Sequence, residues 1–414
     1  MKSVGIIGGG INGLFSAYYL QQLGCQVTII DRGSFADGCS FGNAGMIVPS
    51  HIVPLAQPGM MAKGLRWMLS SSSPFYVKPR LSLGLLKWGY LFWKNSTEAH
   101  VKRSIPILRD LSFLSKQLFQ EFNQTGAVDF NWQERGLLML YKNAETEAEM
   151  REEAHVANAA GVEAFVLSGQ DVQALEPDVQ TDVRGAVFYR GDAHINPNAL
   201  ILGLVAHLRR NGVTILENQT VQDFGVANQS VRQVVTNENS HQFDEIVIAS
   251  GAWSPLMTQK LGISLPLQGG KGYSFMLNDV AKNINTPAIM LEARTTATPI
   301  NNHLRFAGTM EIAGTDMGVN PNRVRGIVQS INQYYPDIQV DMPEIETVWR
   351  GLRPCSPDGL PYIGRAKTLK NVTLATGHGM MGISLGPATG KLISEIVTVR
   401  KTSMPIAAFE PSRF

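Results

Sequence analysis

Apolar residues change their period at a run of glycines close to the start of the chain, and the first expectation rests on that change. Residues 4–7 (Val4, Gly5, Ile6, Ile7) form a short apolar run that fits a buried strand and ends in Gly8-Gly9-Gly10. Over residues 12–23 the apolar positions Leu14, Ala17, Tyr18 and Leu20 fall at helical spacing, and Gly24 stops the helix. Gln26-Val27-Thr28-Ile29-Ile30 then predicts a second short strand, closed by Asp31. Strand, glycine turn, helix and strand in that order open a parallel βαβ unit.

Further on, a helical pattern runs from about 98 to 125 (Ile107, Leu111, Leu114, Leu118, Phe122). Alternating segments at 136–142, 184–190, 272–277 and 303–310 predict a mainly antiparallel sheet with one face buried. Between them parallel-sheet character returns: a helix over 198–211, a strand over 213–216, and a buried strand over 246–249 ending at Ser250-Gly251. The C-terminal part repeats the theme with a strand at 372–375, a glycine-rich loop at 377–382 and a helix from about 386 to 400. The expected fold class is α/β: a discontinuous nucleotide-binding domain of Rossmann type over 1–85, 195–267 and 350–414, with an α+β substrate domain on an antiparallel sheet inserted as 86–194 and 268–349.

Residues 55–95 differ in character, being rich in Met, Leu, Trp and Phe and broken by Ser70-Ser71-Ser72-Ser73-Pro74. Trp67, Met68 and Leu69, with the later run Leu85-Leu86-Lys87-Trp88-Gly89-Tyr90-Leu91-Phe92-Trp93, could form a face at a membrane surface. Core helices or an oligomer contact would read the same way. The stretch is too short and broken to span a bilayer.

Composition narrows the function classes. Apolar residues make up 44% and charged residues 17%, and 36 Lys+Arg against 34 Asp+Glu leave +2 with no dense basic run. Nucleic acid is therefore not an expected partner, because that needs clustered positive charge. Cys25, Cys39 and Cys355 are three in number and widely spaced, which fits neither a disulfide framework nor a metal site. The expected setting is reducing and cytoplasmic, with any membrane contact peripheral, at the inner face of the cell membrane. Oligomeric state is left open.

Gly8-Gly9-Gly10-Ile11-Asn12-Gly13 satisfies G-x-G-x-x-G between a strand and a helix. The first glycine permits a tight turn, the second lets a pyrophosphate approach the backbone, and the third allows close helix–strand packing. The helix N-terminus attracts the negative charge. Asp31, 18 residues after Gly13, stands where an acid can accept hydrogen bonds from ribose hydroxyls. With Asp in that place, NAD alone would also fit.

Later segments resemble a known family and favour FAD. Cys39-Ser40-Phe41-Gly42-Asn43-Ala44-Gly45 resembles the flavin-proximal loop of D-amino-acid dehydrogenases. Ile248-Ala249-Ser250-Gly251-Ala252-Trp253-Ser254 resembles the second FAD-contact strand of the wider D-amino-acid oxidase, glycine oxidase and sarcosine oxidase superfamily. Trp349-Arg350-Gly351-Leu352-Arg353-Pro354, then Ser356-Pro357-Asp358-Gly359-Leu360-Pro361-Tyr362-Ile363-Gly364, resembles the signature of that group. Gly377-His378-Gly379-Met380-Met381-Gly382, then Gly386-Pro387-Ala388-Thr389-Gly390, resembles its closing flavin loop and helix. The blocks keep the family's order from the first residue to about 400.

The resemblance implies a glutathione-reductase-like FAD-binding domain. Its implied cofactor residues are Gly8, Gly10, Ile11, Asn12, Gly13, Asp31, Arg32, Cys39, Ser40, Asn43, Ala44, Gly45, Met46, Val221, Gly251, Gly377, Gly379, Met380, Met381, Gly382 and Ile383. Covalent attachment is not implied, because the family's flavin-linking cysteine position falls near Gly351 and Cys355 is offset from it. Oxidising an amino acid requires a cation to fix the carboxylate, and a planar guanidinium suits that task. Arg353 occupies the carboxylate-binding position of glycine oxidases, although a structural ion pair beneath the flavin would also account for it; Arg350 is a weaker candidate. Tyr273 begins a strand that runs along the substrate side by resemblance, and a core aromatic reads equally well. Glu292, Arg294 and Thr296 alternate on a segment that lines the pocket in glycine oxidases, as an ordinary exposed strand face would. His51 could reach substrate and His378 could turn its loop toward the flavin, while a lone histidine is more often structural. No general base stands out.

The implied activity is oxidative deamination of a D-amino acid by hydride transfer from the α-carbon to the flavin, giving an imino acid and then a 2-oxo acid. For a D-proline or hydroxyproline type the imine persists as a ring. Glycine or sarcosine oxidation is the close rival, and a non-catalytic flavoprotein subunit of an electron-transfer complex is the alternative of another class. An NAD-linked dehydrogenase would need a second nucleotide motif. The electron acceptor is oxygen, a quinone or another carrier, and the flavin-proximal loop and the Gly270-Lys271-Gly272-Tyr273 block look more like the dehydrogenase branch.

Overall fold

In the computed structural model, Ser3–Ile7 lies inside a six-stranded sheet, with Val4 and Ile6 wholly buried, as expected of a strand covered on both faces. The structure describes residues 1–67, 75–78, 80 and 82–414; the Trp67 side chain, Met68, Leu69 and the break at 70–74 lie outside what is described. Strand order is Tyr362–Arg365, Val372–Thr376, Glu245–Ile248, Ser3–Ile7, Gln26–Ile30, Thr214–Leu216. All neighbours are parallel except the Tyr362–Arg365 edge. Helices Ile11–Gln22, Glu98–Gln124, Pro197–Arg210 and Gly386–Val397 share one core with this sheet. Phe15 anchors that core, edge-on to Phe119 at 5.6 Å and to Phe122 at 5.5 Å. The other face packs Ile7, Ile30, Ile246 and Ile248 with Phe224 and Val234 of a three-stranded antiparallel unit, Val221–Ala227, Ser230–Thr236 and Ser240–His241.

The second sheet has nine strands. Its order is Trp349–Cys355, Gln268–Leu277, His303–Ile312, Thr295–Ile300, Ala288–Met290, Leu137–Tyr141, Gly185–Tyr189, Ala164–Ser168, with Phe75–Val77 added beside His303–Ile312. It is antiparallel apart from the pairings of Leu137–Tyr141 with Ala288–Met290 and of Phe75–Val77 with His303–Ile312. One face is covered by helix Pro321–Tyr334, whose Val324, Ile327 and Ile331 pack on Leu304 and Phe306.

The opposite face carries a row of directly opposed residues: Met139, Ile289, Thr296, Ala307, Ser274 and Trp349. This row meets the loop that follows the first βαβ unit. Ser274 Oγ donates to the Gly42 carbonyl at 2.7 Å, and the Trp349 ring fills the space a Cβ on Gly42 would need. Arg305, two residues from Ala307, donates from Nη1 to the Asn43 carbonyl at 2.7 Å and from Nη2 to Asn198 Oδ1 at 2.5 Å.

Three segments depart from the expected partition. Helix Glu98–Gln124, expected with the substrate domain, packs Leu111, Leu118 and Phe119 into the core of the first sheet. Its apolar period reveals a buried face but not which sheet that face meets. Phe75–Val77 and Trp349–Cys355 belong to the second sheet, although 75–77 and 350–355 were expected in the nucleotide segments. Among the described residues no helix is long and apolar enough to cross a membrane.

The first and last helices touch backbone to backbone. A Cβ on Gly390 would stand 2.4 Å from the carbonyl carbon of Phe15 and 2.6 Å from its oxygen. Gly390→Ala is therefore expected to wedge the helices apart at a cost of about 1–3 kcal/mol, seen as a lower thermal midpoint by calorimetry. An unchanged midpoint would contradict the contact.

Candidate active site

The carboxyl ends of the parallel strands and the row Met139, Ile289, Thr296, Ala307 and Trp349 of the second sheet border a continuous cavity of about 2100 Å³. This is where an open α/β sheet places a ligand. It is larger than the roughly 300–1,000 Å³ of a typical small-ligand pocket, enough for a dinucleotide with a substrate beside it.

The nucleotide end is built from backbone. Gly8 has φ +110°, and a Cβ there would lie 2.6 Å from the Ala249 carbonyl oxygen. A Cβ on Gly13 would lie 2.0 Å from the Gly8 carbonyl oxygen, so the helix sits directly on the turn. Gly10 meets only Ser40 Oγ at 3.4 Å, which leaves its cavity side open to a ligand. The helix N-terminus has no side-chain cap from Gly10 and no acid in its first turn, so its positive end remains available to an anion in the cavity. Ser40 Oγ accepts from Ile11 N at 3.1 Å and ties the flavin-proximal loop to this turn. The Asp31 carboxylate accepts from Gly9 N at 2.6 Å and Gly33 N at 2.9 Å; burial raises its pKa while these amides oppose the rise. Further acceptor sites on the same oxygens remain for ribose hydroxyls. The Arg32 guanidinium stacks on Trp253 at 3.8 Å, forming a flat wall beyond the acid.

Of the sequence-derived cofactor residues, all but Gly13 and Gly45 border the cavity. Gly45, at φ +81°, instead accepts from Ile195 N at 2.8 Å and closes the loop onto the strand Ala193–His194 that follows Asp192. At the far end Gly379 (φ +54°) and Gly382 meet nothing within 4 Å where a Cβ would stand, so this loop too leaves room for a ligand against its backbone. Open glycines, a helix N-terminus with no acid in its first turn and a carboxylate at the second strand end together fit an FAD. These residues would hold it, and it would supply a two-electron acceptor.

At the substrate end Arg353 lies on the cavity wall with its guanidinium against Gly272, where a Cβ would approach Nη1 to 2.1 Å. Its Nη1 donates to the Thr309 carbonyl at 2.8 Å, and no described carboxylate pairs with it. Burial lowers its pKa, yet an arginine remains a cation. Thr309 has φ +65°, unusual for a β-branched residue, and sits where the ladder of the two central strands shifts register. That bulge turns the Thr309 carbonyl toward Arg353. Arg350 opposes Tyr273 in the ladder, is exposed, and does not border the cavity.

The other candidates separate by what their polar atoms touch. Tyr273 borders the cavity, but its ring belongs to the core under helix Pro321–Tyr334. Its hydroxyl donates to Glu311 Oε1 at 2.6 Å and accepts from Asn320 N at 3.1 Å, so the structure assigns it a bracing role. Glu292 lies at the cavity edge, where Oε1 accepts from Lys142 N at 3.0 Å and Asn143 Nδ2 at 3.0 Å and Oε2 accepts from the Tyr334 hydroxyl. Burial alone would raise its pKa, but these donors hold it below the usual range, as an anion that clips two segments together. Arg294, at φ +52°, shares the cavity mouth with Glu149 and Glu153 of helix Ala144–Ala159. Thr296 faces in as part of the row. His51 also faces in, and desolvation lowers its pKa to about 4.

His378 is braced rather than poised. Its Nδ1 lies 3.1 Å from Asn12 Nδ2 and its Nε2 2.9 Å from Thr389 Oγ1. Because Asn12 Nδ2 can only donate, Nδ1 is the acceptor and the ring is the neutral Nε2–H tautomer. Burial lowers its pKa to about 3. Sequence reasoning missed Met139 and Ile289, whose apolar side chains join Thr296 in the cavity row. Met139 fell in the segment read as alternating at 136–142, whereas the continuously apolar stretch around Ile289 gave no sign of which face looks inward.

Comparisons with known proteins agree with this geometry. The family model described as DAO, FAD dependent oxidoreductase, matches residues 3–396. A D-amino acid dehydrogenase of Helicobacter pylori is 30% identical over 397 residues, covering 95% of this chain and 94% of that one. A D-amino acid dehydrogenase of Vibrio vulnificus (strain CMCP6) is 29% identical, covering 98% of each. Among solved structures, glycine oxidase from Geobacillus kaustophilus superposes with a TM-score of 0.79 at 22% identity over 100% of both chains. L-proline dehydrogenase from P. horikoshii gives 0.77 at 18% identity, over 100% of this chain and 97% of that one.

The neutral His378 links stability to pH. The unfolded chain protonates this ring near pH 6.5, whereas the folded protein does so only near pH 3. Its contribution is fully present above pH 6.5 and is lost as the pH falls through that window, at up to about 1.4 kcal/mol per unit. His51 and His194, both lowered to about 4, act with the same sign. His378→Asn should unfold earlier than wild type at pH 7.5, with the gap in thermal midpoint closing as the pH is lowered to 5. A gap independent of pH would mean that the ring titrates alike in both states.

Proposed function

The chain belongs to the DAO family of FAD-dependent oxidoreductases, and we propose that it oxidises a D-amino acid at the carbon carrying both amine and carboxylate. The observation that carries this reading is Arg353: a cation on the cavity wall, packed on Gly272, with no carboxylate among the described residues to neutralise it. A substrate carboxylate supplies the missing partner, and the planar guanidinium binds it through two parallel bonds. The row Met139, Ile289, Thr296 and Ala307 offers a mainly apolar floor for the side chain. Once the carboxylate is fixed, the α-hydrogen has a defined direction, which is what hydride transfer to bound FAD requires. The imino acid product hydrolyses to a 2-oxo acid and ammonia, or stays cyclic when the substrate is a proline type.

FAD binding is read as non-covalent. Cys355 is 2% exposed with its thiol on the Arg353 carbonyl at 3.4 Å, and Cys39 Sγ accepts from Leu352 N at 3.3 Å. The experiment mixes the flavin-loaded protein anaerobically with D- and L-amino acids, proline analogues, glycine and sarcosine, and follows loss of the flavin band. D-amino acids, among them D-prolines, are expected to bleach it. Bleaching by glycine or sarcosine alone moves the rival oxidation forward, and bleaching by none ends the reading. Arg353→Met should raise KM about 100-fold, equivalent to about 2–3 kcal/mol of charge-assisted hydrogen bonding. Unchanged kinetics would remove Arg353 from the site.

The acceptor is read as a carrier reached at a membrane surface. Helix Leu83–Asn95 exposes Leu86, Tyr90 and Trp93 on one stripe, at 68%, 59% and 62%, and all three border the cavity mouth. Residues 38–97 contain six Lys and Arg and no Asp or Glu. An apolar stripe on a stretch of one charge sign suits an anionic bilayer surface. Leu86→Glu with Trp93→Glu should abolish co-sedimentation with vesicles of phosphatidylcholine and phosphatidylglycerol while leaving flavin reduction by substrate intact. Absence of wild-type binding to such vesicles would overturn the reading.

A further inference from the structure

Beside the substrate end a buried acid is connected to the cavity through two consecutive residues. The strand Met46–Ile47 pairs with Ala193–His194, which brings Ser50 against Asp192, 142 residues away. Ser50 N donates to Asp192 Oδ1 at 3.1 Å, and Ser50 Oγ to Oδ2 at 2.5 Å. The same Ser50 Oγ lies 3.1 Å from His51 Nδ1. Asp192 is 1% exposed, and no described cation pairs with it. His51 borders the cavity, and no described residue hydrogen-bonds its Nε2.

One hydroxyl between a carboxylate and an imidazole fixes the direction of every proton. With Asp192 ionised, the Ser50 hydroxyl points to Oδ2, so His51 Nδ1 must carry the hydrogen and Nε2 presents a lone pair to the cavity. We propose that His51, Ser50 and Asp192 form a proton wire that takes a proton from the substrate ammonium at His51 Nε2 and deposits it on Asp192. This inference rests on the amino-acid reading given above.

The step balances without a further reactant. One N–H bond of the ammonium breaks with its electron pair left on nitrogen, and an Nε2–H bond forms. The Nδ1–H proton passes to Ser50 Oγ, whose own proton passes to Asp192 Oδ2. The net change is ammonium plus carboxylate to amine plus carboxylic acid, with a neutral imidazole before and after. A cation and an anion are removed together from an enclosed space, the favourable direction where charge is poorly solvated. Burial shifts both ends to suit: His51 resists holding the charge, and the Asp192 carboxyl is pushed up to about 7. Other charged or titratable groups acting here are Lys116 and Tyr189 near Asp192, neutral His194 beside it, and Arg353, Glu292, Arg294, Glu149 and Glu153 around the cavity. The neutral amine then has its lone pair available as the α-carbon is oxidised.

The direct test is nitrogen NMR of the holoenzyme carrying labelled histidine, with the His51 signals assigned by their loss in His51→Gln. Wild type above pH 8 should show the Nδ1–H tautomer. In Asp192→Asn the amide donates to Ser50, whose hydroxyl must then donate to Nδ1, so the ring should switch to Nε2–H. Ser50→Ala, which removes no buried charge, should leave His51 in a mixture of tautomers and guards against a poorly folded Asp192 variant. In stopped flow, His51→Gln should slow flavin reduction about 100-fold at pH 7. The rate should recover toward wild type near pH 10, where the substrate amine has already lost its proton. An unchanged tautomer in Asp192→Asn, or a His51→Gln rate equal to wild type from pH 6 to 10, overturns the wire. Failure of every amino acid to bleach the wild-type flavin would instead overturn the substrate reading, and the tautomer result would still decide whether the three residues are coupled.

Discussion

The structure depends on the clamping of two backbone carbonyls, those of Gly42 and Asn43, by the second sheet. Ser274 holds one and Arg305 the other, and the Trp349 ring lies where a Gly42 side chain would stand. Arg305 is buried with no carboxylate partner among the described residues, and desolvation lowers its pKa to about 10. Such a cation is tolerated only if oxygen acceptors surround it, and the Asn43 carbonyl and Asn198 Oδ1 are the ones present. The interaction therefore fixes three pieces of chain at once: the flavin-proximal loop, the start of helix Pro197–Arg210, and the beginning of strand His303–Ile312 of the second sheet. From that loop the chain runs directly into Met46–Ile47 and on to Ser50 and His51, so the substrate wall is positioned by the same contact.

The two ends of the cavity are built by different means. At the nucleotide end side chains are absent where a ligand must come close, and the work falls to amides, a helix terminus and one carboxylate. Such a surface binds phosphate and ribose while offering little to discriminate between substrates. At the substrate end the sheet supplies side chains from successive strands, and a bulge at Thr309 re-aims one carbonyl to steady Arg353. Rigid elements on both sides of a bulge hold a guanidinium better than a loop would.

Legibility in the sequence followed the range of the interactions. The βαβ start, the glycines and Asp31 depend on neighbours within some 30 residues, and pattern alone places them. Helix Glu98–Gln124 was found with its length, but its partner Phe15 lies on the first helix, and nothing in a 3.6-residue period names a partner. The sequence left Tyr273 open between a substrate-side and a core aromatic, because the register shift at Thr309 and the burial of the ring under helix Pro321–Tyr334 are properties of three segments together. His378 was legible as a residue of the flavin loop but not as the brace between Asn12 and Thr389. Ser50 and Asp192 could not be joined from sequence, since only the pairing of two-residue strands brings them together.

Burial gives the cavity its chemical character by deciding which groups keep a charge. His51, His378 and His194 are all held below the ordinary histidine range, Tyr273 is held protonated, and Asp192 is pushed toward its neutral form. Against that background Arg353 cannot discharge itself, because a guanidinium keeps its proton under any burial seen here. A permanent cation among groups that resist charge selects a permanent anion, and it does so before any question of side chain arises. On the amino-acid reading, the substrate ammonium is the second charge brought into the enclosure. On that reading, burial that holds His51 and His378 neutral favours the neutral amine of the substrate, the form from which the proposed oxidation would proceed.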